Sequence, residues 1–137
     1  FTILALWAGE FSQALQKSSG ENMPLHEAES LIIGVDHSVV GSMLAEKWQF
    51  DKALVDCIRN HHSTDGGEGG MWASVHVANQ ISKKMAFGDI GDSCIEAIPP
   101  AACKYFGSDI DGIIASLGDL SRIAEEARLF SQAGADA

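Results

Sequence analysis

The sequence predicts an all-α domain. Apolar residues recur at spacings of three and four along most of the chain, which places them on one face of a helix. No run alternates apolar and polar residues between turn residues, as a half-buried strand would. At 137 residues the chain has the length of one ordinary domain and can bury a core without disulfides or metals. We therefore predict a multi-helix bundle that forms a single domain over residues 1–130, followed by a frayed tail at 131–137.

Two helices are predicted upstream of Gly34. The first covers roughly Thr2 to Lys17 and ends where Gly20 and Pro24 interrupt the pattern. The second runs from about Leu25 to Ile33, and Gly34 suits the left-handed conformation that often follows a helix end.

The next two helices carry three of the five histidines. Asp36 is a suitable N-cap for the third helix, because its carboxylate can accept hydrogen bonds from the backbone of the first turn. The face of this helix that runs from His37 to Trp48 has apolar residues at helical spacing, and we expect it to be buried. In the fourth helix, His61 and His62 prolong the apolar face.

Three further helices are predicted in the second half. One runs from about Met71 to Ala86, with Trp72, Val75 and Asn79 on one side, so that a polar amide lies on a largely apolar face. A short helix follows at "AACKYFG", residues 101–107. Ser108 is expected to cap a last, long helix whose apolar stripe continues to about residue 127.

Charge and cysteine content restrict the class of partner. The formal net charge of −10 would repel a nucleic-acid backbone or an anionic membrane over most of the surface. The apolar opening "FTILALWAG" is too short for a membrane span. The three cysteines are widely spaced and form no CxxC motif. This pattern is typical of a protein in the reducing cytoplasm. We expect a cytoplasmic protein that binds neither nucleic acid nor membrane.

The histidines at positions 37, 61 and 62 are candidate metal ligands, since imidazole is a common ligand of first-row metals. A hydrolytic metal centre also needs carboxylates and an open position for water. Such carboxylates are hard to identify around these histidines. His26 and His76 are interpreted as hydrogen-bonded core residues, which is the commoner role of a histidine on an apolar face.

The run "EAESLIIGVDHSVVGSMLAEKWQFDKALVDCIRNHH", residues 27–62, resembles the HDOD family, the HD-related output domains of bacterial signalling proteins. The later "VHVAN", residues 75–79, extends the resemblance more weakly. Because many positions are fixed over some 35 residues, the signal is specific. The matching residues are Glu29, Gly34, Asp36, His37, Gly41, Leu44, Ala45, Trp48, Ile58, His61 and His62.

The wider superfamily of HD and HD-GYP phosphohydrolases binds metals on this scaffold, and the resemblance implies which ligands are missing here. Its His-Asp dyad falls on Leu6 and Trp7, neither of which can bind a metal. The Glu that follows the His-His pair is Ser63, and the final ligand Asp is replaced by Asn79. The segment "TDGGEGG" resembles the HD-GYP loop but lacks its Tyr-Pro.

The resemblance therefore implies a non-catalytic signalling or regulatory module with no catalytic residue and a degenerate metal site. His37, His61 and His62 would form a remnant cluster, hydrogen-bonded to one another or to Asn79, with at most a weakly bound divalent metal and no other cofactor. The supporting residues would be Asp36, Asn79 and Trp48. One alternative is a metal-dependent phosphohydrolase that uses unusual carboxylates such as Asp36 or Asp65. Another is a small-molecule sensor that uses the vacated site.

The resemblance also implies a protein partner in a signalling pathway. Family members have a further helical portion upstream of the position of Phe1, which this sequence does not show. The apolar first helix would then need another cover, and we expect homo-oligomerisation through it. Its apolar residues are Ile3, Leu4, Leu6, Trp7, Phe11 and Leu15.

Overall fold

The computed structural model describes residues 8–64, 69–87, 92, 94–122 and 125. Within these residues the chain forms α-helices and no strand, so the all-α prediction is confirmed. None of the described helices is both long and apolar enough to cross a membrane. The helices are α1 Ala8–Glu21, α2 Leu25–Ile32, α3 His37–Lys47, α4 Lys52–Asn60, α5 Gly70–Lys84, α6 Pro100–Phe106 and α7 Ile110–Leu117.

Helix α1 continues one turn beyond the predicted end. Lys17 and Glu21, one turn apart, form an ion pair at 2.7 Å, and the buried Ser18 donates a hydrogen bond from Oγ to the carbonyl of Met23. The chain leaves the helix at Asn22, whose φ is 50°. Gly20 was predicted to break the helix, but a glycine in the last turn costs too little to do so. The predicted start at Thr2 lies outside the described residues.

Helices α1 and α2 pack through small side chains. Ala14 and Ala28 are fully buried and Leu25 nearly so, which lets the two helices approach closely. Phe11 and Leu15 pack against this cluster. Two of the six residues proposed for self-association are therefore partly buried within the chain, and the other four lie outside the described residues. Homo-oligomerisation stays a prediction.

Helix α3 begins at the predicted cap. The Asp36 carboxylate accepts hydrogen bonds from the backbone nitrogens of Ser38 and Val39 at 2.8 and 3.0 Å. Gly34 has a φ of 86°, the left-handed conformation expected for it. The second helix ends one residue before the predicted position.

The predicted buried face of α3 is wrong. Trp48 is 65% exposed, and the side chain of His37 is also substantially exposed. The side of α3 that is buried instead carries Ser38, Ser42 and Ala45. These small residues let α3 lie close to α4, whereas Val40 and Leu44, in the middle of the predicted face, are only half-buried.

Helix α5 forms the centre of the main core. The prediction that Val75 and Asn79 share its buried side with Trp72 is wrong, because Val75 is exposed and Asn79 only half-buried. The buried core residues of α5 and of the segments that pack on it are Trp72, Ala73, Val77, Ile81, Ala102, Ile113 and Leu120.

The last two described helices are short. The predicted helix near residue 101 is α6, and α7 is capped by Asp109, whose carboxylate accepts from the backbone nitrogen of Gly112 at 2.9 Å. Ser108 is therefore not the cap. Helix α7 ends at Leu117, where Gly118 adopts a φ of 74°, so the predicted single long helix is interrupted at residues 118–120. Ser121, Arg122 and Glu125 are helical again, and the rest of the predicted stripe lies outside the described residues. The predicted tail at 131–137 lies outside the described residues.

Candidate functional site

The three histidines named by the sequence come together at one end of α3 and α4. His37 is the first residue of α3, and His61 is the C-cap of α4, followed by His62. One ring nitrogen from each lies within 4.8 Å of those from the other two. The Nε2 atoms of His37 and His62 are 2.8 Å apart, which is a hydrogen-bond distance, so one proton lies between the two rings.

Glu29 orients His37 from the neighbouring helix α2. Its carboxylate is almost fully buried and accepts hydrogen bonds from the backbone nitrogen of His37 at 2.9 Å and from its Nδ1 at 2.6 Å. Because a carboxylate only accepts, the Nδ1 of His37 carries a proton. Burial by itself lowers the pKa of His37, but the hydrogen bond and negative charge of Glu29 outweigh it, and the pKa is raised above its usual value.

His61 is held by two backbone contacts. Its Nδ1 donates to the carbonyl of Ile58 at 2.7 Å, which leaves Nε2 as the acceptor nitrogen in the neutral ring. Its own carbonyl accepts from Nδ1 of the buried His76 at 2.8 Å, and this bond ties the end of α4 to α5. Burial is the main reason that the pKa of His61 is lowered, and the nearby charge of His37 adds to it.

His62 is largely enclosed, with 8% of its side chain exposed. Its ring stacks on that of His26, with centroids 4.2 Å apart and planes 14° from parallel. Burial, followed by the charges of His61 and His26, lowers the pKa of His62 to about 2, so the ring is neutral. The Nδ1 atoms of both His26 and His62 are buried and have no hydrogen-bond partner in the described part of the chain.

Sequence reasoning missed His26, which it treated as an isolated core residue. Its position did carry a signal, because it precedes Glu29 by three residues on α2. Residues three apart lie on the same helix face. Once Glu29 is known to contact His37, this spacing places His26 toward the same cluster.

A buried ion-pair network lies beside His62. Oε2 of Glu96 is 3.9 Å from Nδ1 of His62 and 3.3 Å from Nζ of Lys83. The same Nζ is 2.7 Å from the carboxylate of the buried Asp92. Gln80 holds Glu96 in place, accepting a hydrogen bond from its backbone nitrogen at 2.8 Å. These acids were not identified from the sequence, although a lysine on the buried face of α5 requires nearby carboxylates.

The three residues predicted to support the cluster have different surroundings. The carboxylate of Asp36 is engaged as the cap of α3; burial raises its pKa, but hydrogen bonds from Ser38 and Val39 outweigh this effect and lower it. Asn79 has a buried Nδ2 with no partner among the described residues, so the expected hydrogen bond to the histidines is not found there. Trp48 lies at the end of α3 in edge contact with Phe50, with ring centroids 6.2 Å apart.

These residues can be tested against the metal centre that the superfamily carries. The Nδ1 protons of His37 and His61 point to oxygen acceptors, which is the usual arrangement of histidine ligands. The Nε2 of His37, however, is hydrogen-bonded to the Nε2 of His62. Of the nearby acids, Glu29 and Asp36 carry hydrogen bonds and Glu96 pairs with Lys83. Among the described residues, the set of His37, His61 and His62 therefore does not fit a carboxylate-bridged pair of ions. It fits a single ion only if the hydrogen bond between His37 and His62 opens.

Comparison with known families confirms the resemblance seen in the sequence. The family model described as "HDOD domain" matches residues 1–64, the part of the chain that contains His37, His61 and His62. Searches of the curated proteins and of the solved structures found no match. An HDOD domain points to an HD-related signalling module. Residues 1–64, just under half of the chain, are therefore similar to the HDOD domain family.

Proposed function

We propose that this chain is a non-catalytic signalling or regulatory module that acts through protein contacts and has lost the metal chemistry of its superfamily. The observation that carries the proposal is the hydrogen bond between the Nε2 atoms of His37 and His62. In this hydrogen bond one Nε2 atom donates its proton and the other accepts it with its lone pair, so neither lone pair is available to a metal. When His37 is protonated, both of its nitrogens donate and neither can bind an ion.

The charge around the cluster supports the same conclusion. A hydrolytic centre with two ions needs carboxylates that bridge and neutralise them. By the family resemblance, the positions of the missing ligands are taken by uncharged residues, which are Leu6, Trp7, Ser63 and Asn79. The carboxylates of Glu29 and Glu96 are engaged by His37 and by Lys83.

Action through protein contacts is supported by the exposed apolar residues near the α3–α4 turn. Met43, Trp48 and Phe50 are each at least half exposed. Large exposed apolar side chains, and tryptophan above all, are frequent at interfaces. The net charge of −10 disfavours nucleic acid and anionic membranes as partners. We propose a protein partner in a signalling pathway, in the cytoplasm, where the free cysteines would stay reduced.

A metal-dependent phosphohydrolase is the second candidate. It is favoured by one observation, the orientation of the His37 and His61 Nδ1 protons toward Glu29 and the Ile58 carbonyl. This arrangement fixes the tautomer that a metal ligand needs. A small-molecule sensor is the third candidate, since the Nδ1 of His62, which has no partner among the described residues, could receive a hydrogen bond from a ligand.

Elemental analysis and activity measurements separate the first two candidates. Protein purified without added metal would be analysed for bound ions and screened for phosphodiesterase and nucleotidase turnover with Mn²⁺. We expect substoichiometric metal and no turnover above that of His61→Ala. Stoichiometric metal together with turnover that disappears in His61→Ala would overturn the proposal. A compound that co-purifies with the protein and is lost from His62→Ala would favour the sensor.

Self-association through the first helix is proposed separately. Light scattering at increasing protein concentration measures it directly. A dimer or larger assembly at micromolar concentration is expected, and a monomer throughout that range would contradict it.

A further inference from the structure

Lys83 is a charged residue in the interior, with only 2% of its side chain exposed. Its ammonium pairs with Asp92 at 2.7 Å and with Glu96 at 3.3 Å. A lysine is almost never buried to this extent without such partners, because the ammonium loses its hydration. Lys83 is therefore a fixed positive charge inside the fold.

This charge lies beside a set of metal-ligand side chains that differs from the His37, His61 and His62 cluster. A ring nitrogen of His26, one of His62 and a carboxylate oxygen of Glu96 all lie within 4.8 Å of one another. Two imidazoles and a carboxylate are the protein ligands of many zinc sites. Oε2 of Glu96 approaches both His62 and the Lys83 ammonium.

We propose that the ammonium of Lys83 is the resident cation of this His26, His62 and Glu96 site and fills the electrostatic role of a divalent metal. The inference rests on the proposed function, since it assumes that the native protein works without a metal. A divalent ion bound at Glu96 would face the ammonium across a few ångströms of protein. Two positive charges at such a distance repel strongly where water is scarce.

The same site would accept a metal once Lys83 is removed. The Nδ1 atoms of His26 and His62 have no hydrogen-bond partner among the described residues, so an ion would break no existing bond there. One adjustment is needed. The ring of His26 must turn out of its stack on His62, since near-parallel rings cannot direct both lone pairs at one ion.

The test compares the native chain with Lys83→Met/Asp92→Asn, in which the two removed charges cancel and Glu96, His26 and His62 remain. Lys83→Gln, whose amide can still donate to Glu96, serves as a second variant. The matched control adds Glu96→Gln to the double variant. Binding of Co²⁺ is followed by calorimetry and by visible absorption, and the melting temperature is measured with and without Zn²⁺.

We expect the double variant to bind Co²⁺ at least about tenfold more tightly than the native chain. When Glu96→Gln is added to the double variant, the affinity should return to that of the native chain. Double and Lys83→Gln variants that fold but bind no more tightly than the native chain would overturn the inference and leave the proposed function intact. Stoichiometric metal in the native chain that is lost in His37→Ala would instead contradict the proposed function.

Discussion

The carboxylate of Glu29 joins α2 to α3 by accepting two hydrogen bonds from His37, one from its backbone nitrogen at 2.9 Å and one from Nδ1 at 2.6 Å. The contact fixes the ring whose other nitrogen bonds to His62. It also gives a structural role to the glutamate that opens the family motif.

Replacement of Glu29 by Gln is expected to destabilise the protein by about 1.5–3 kcal/mol, the usual contribution of hydrogen bonds to a charged group. It should also lower the pKa of His37, because the charge that raises it is removed. Chemical denaturation and histidine NMR titration measure the two effects. The matched control is Glu27→Gln on the exposed side of the same helix, which should change the free energy of unfolding by less than about 0.5 kcal/mol. Equal effects of the two substitutions would show that the contact does not stabilise the fold.

Acid should destabilise the fold through His62 and His61. The pKa of His62 is about 2 in the folded chain and 6.5 in an unperturbed histidine. Below pH 6.5 this histidine is therefore protonated in the unfolded chain but stays neutral in the folded chain. Stability is therefore lost as the pH falls from about 6.5, by up to about 1.4 kcal/mol per pH unit for each such proton. His61 acts in the same direction.

His37 acts in the opposite direction. Its pKa is raised in the folded chain, so its contribution is full below 6.5 and is lost as the pH rises through the folded value. Urea unfolding at pH 7.5, 6 and 5 measures the sum, and we expect a lower midpoint at pH 5. In the variant His62→Gln, the urea midpoint should fall less steeply between pH 7.5 and pH 5. The same pH dependence in both proteins would rule out His62 as the source.

The two tryptophans Trp48 and Trp72 should respond very differently to truncation. Trp72 is 5% exposed and donates from its indole nitrogen to the carbonyl of Asn60 at 3.0 Å. Trp72→Ala is expected to cost about 3–5 kcal/mol, as for other buried aromatic residues. Trp48→Ala should cost less than about 1 kcal/mol, because its ring is mostly in water. A large loss of stability in Trp48→Ala would instead support the prediction from the sequence that this face of α3 is buried.

Local signals explain which elements could be predicted from the sequence. The Asp36 cap and the glycine at position 34 mark the start of α3 by short-range chemistry that does not depend on the rest of the fold. The apolar spacing along α5 located that helix to within two residues at each end. His37, His61 and His62 were grouped through the family pattern, and the structure places them together.

The other features depend on which elements pack together, and periodicity does not reveal that. Helical spacing put Trp48 on one face of α3, but small residues on another face allow the close approach to α4. Glu96 lies in an irregular segment with no pattern of its own, and it reaches His62 because Gln80 on α5 binds its backbone. Lys83 lies in the last turn of α5 and was not singled out from the sequence, although its side chain is buried.

The close contact between Gly41 of α3 and Ile58 of α4 gives a test of how the histidine cluster is assembled. A Cβ added at Gly41 would lie 3.1 Å from Cγ2 of Ile58, tighter than an ordinary contact. We expect Gly41→Val to cost about 1–3 kcal/mol by overpacking. It should also shift the NMR signals of His61 and His62, because the end of α4 carries both rings. Adding Ile58→Leu, which removes the Cγ2 methyl group and keeps the side-chain volume, should recover part of the loss, and a double-mutant cycle measures that coupling. Gly20→Ala, with open space around the added methyl group, is the control and should be neutral or stabilising by up to about 1 kcal/mol. Additive effects of Gly41→Val and Ile58→Leu would mean that this contact does not set the distance between α3 and α4.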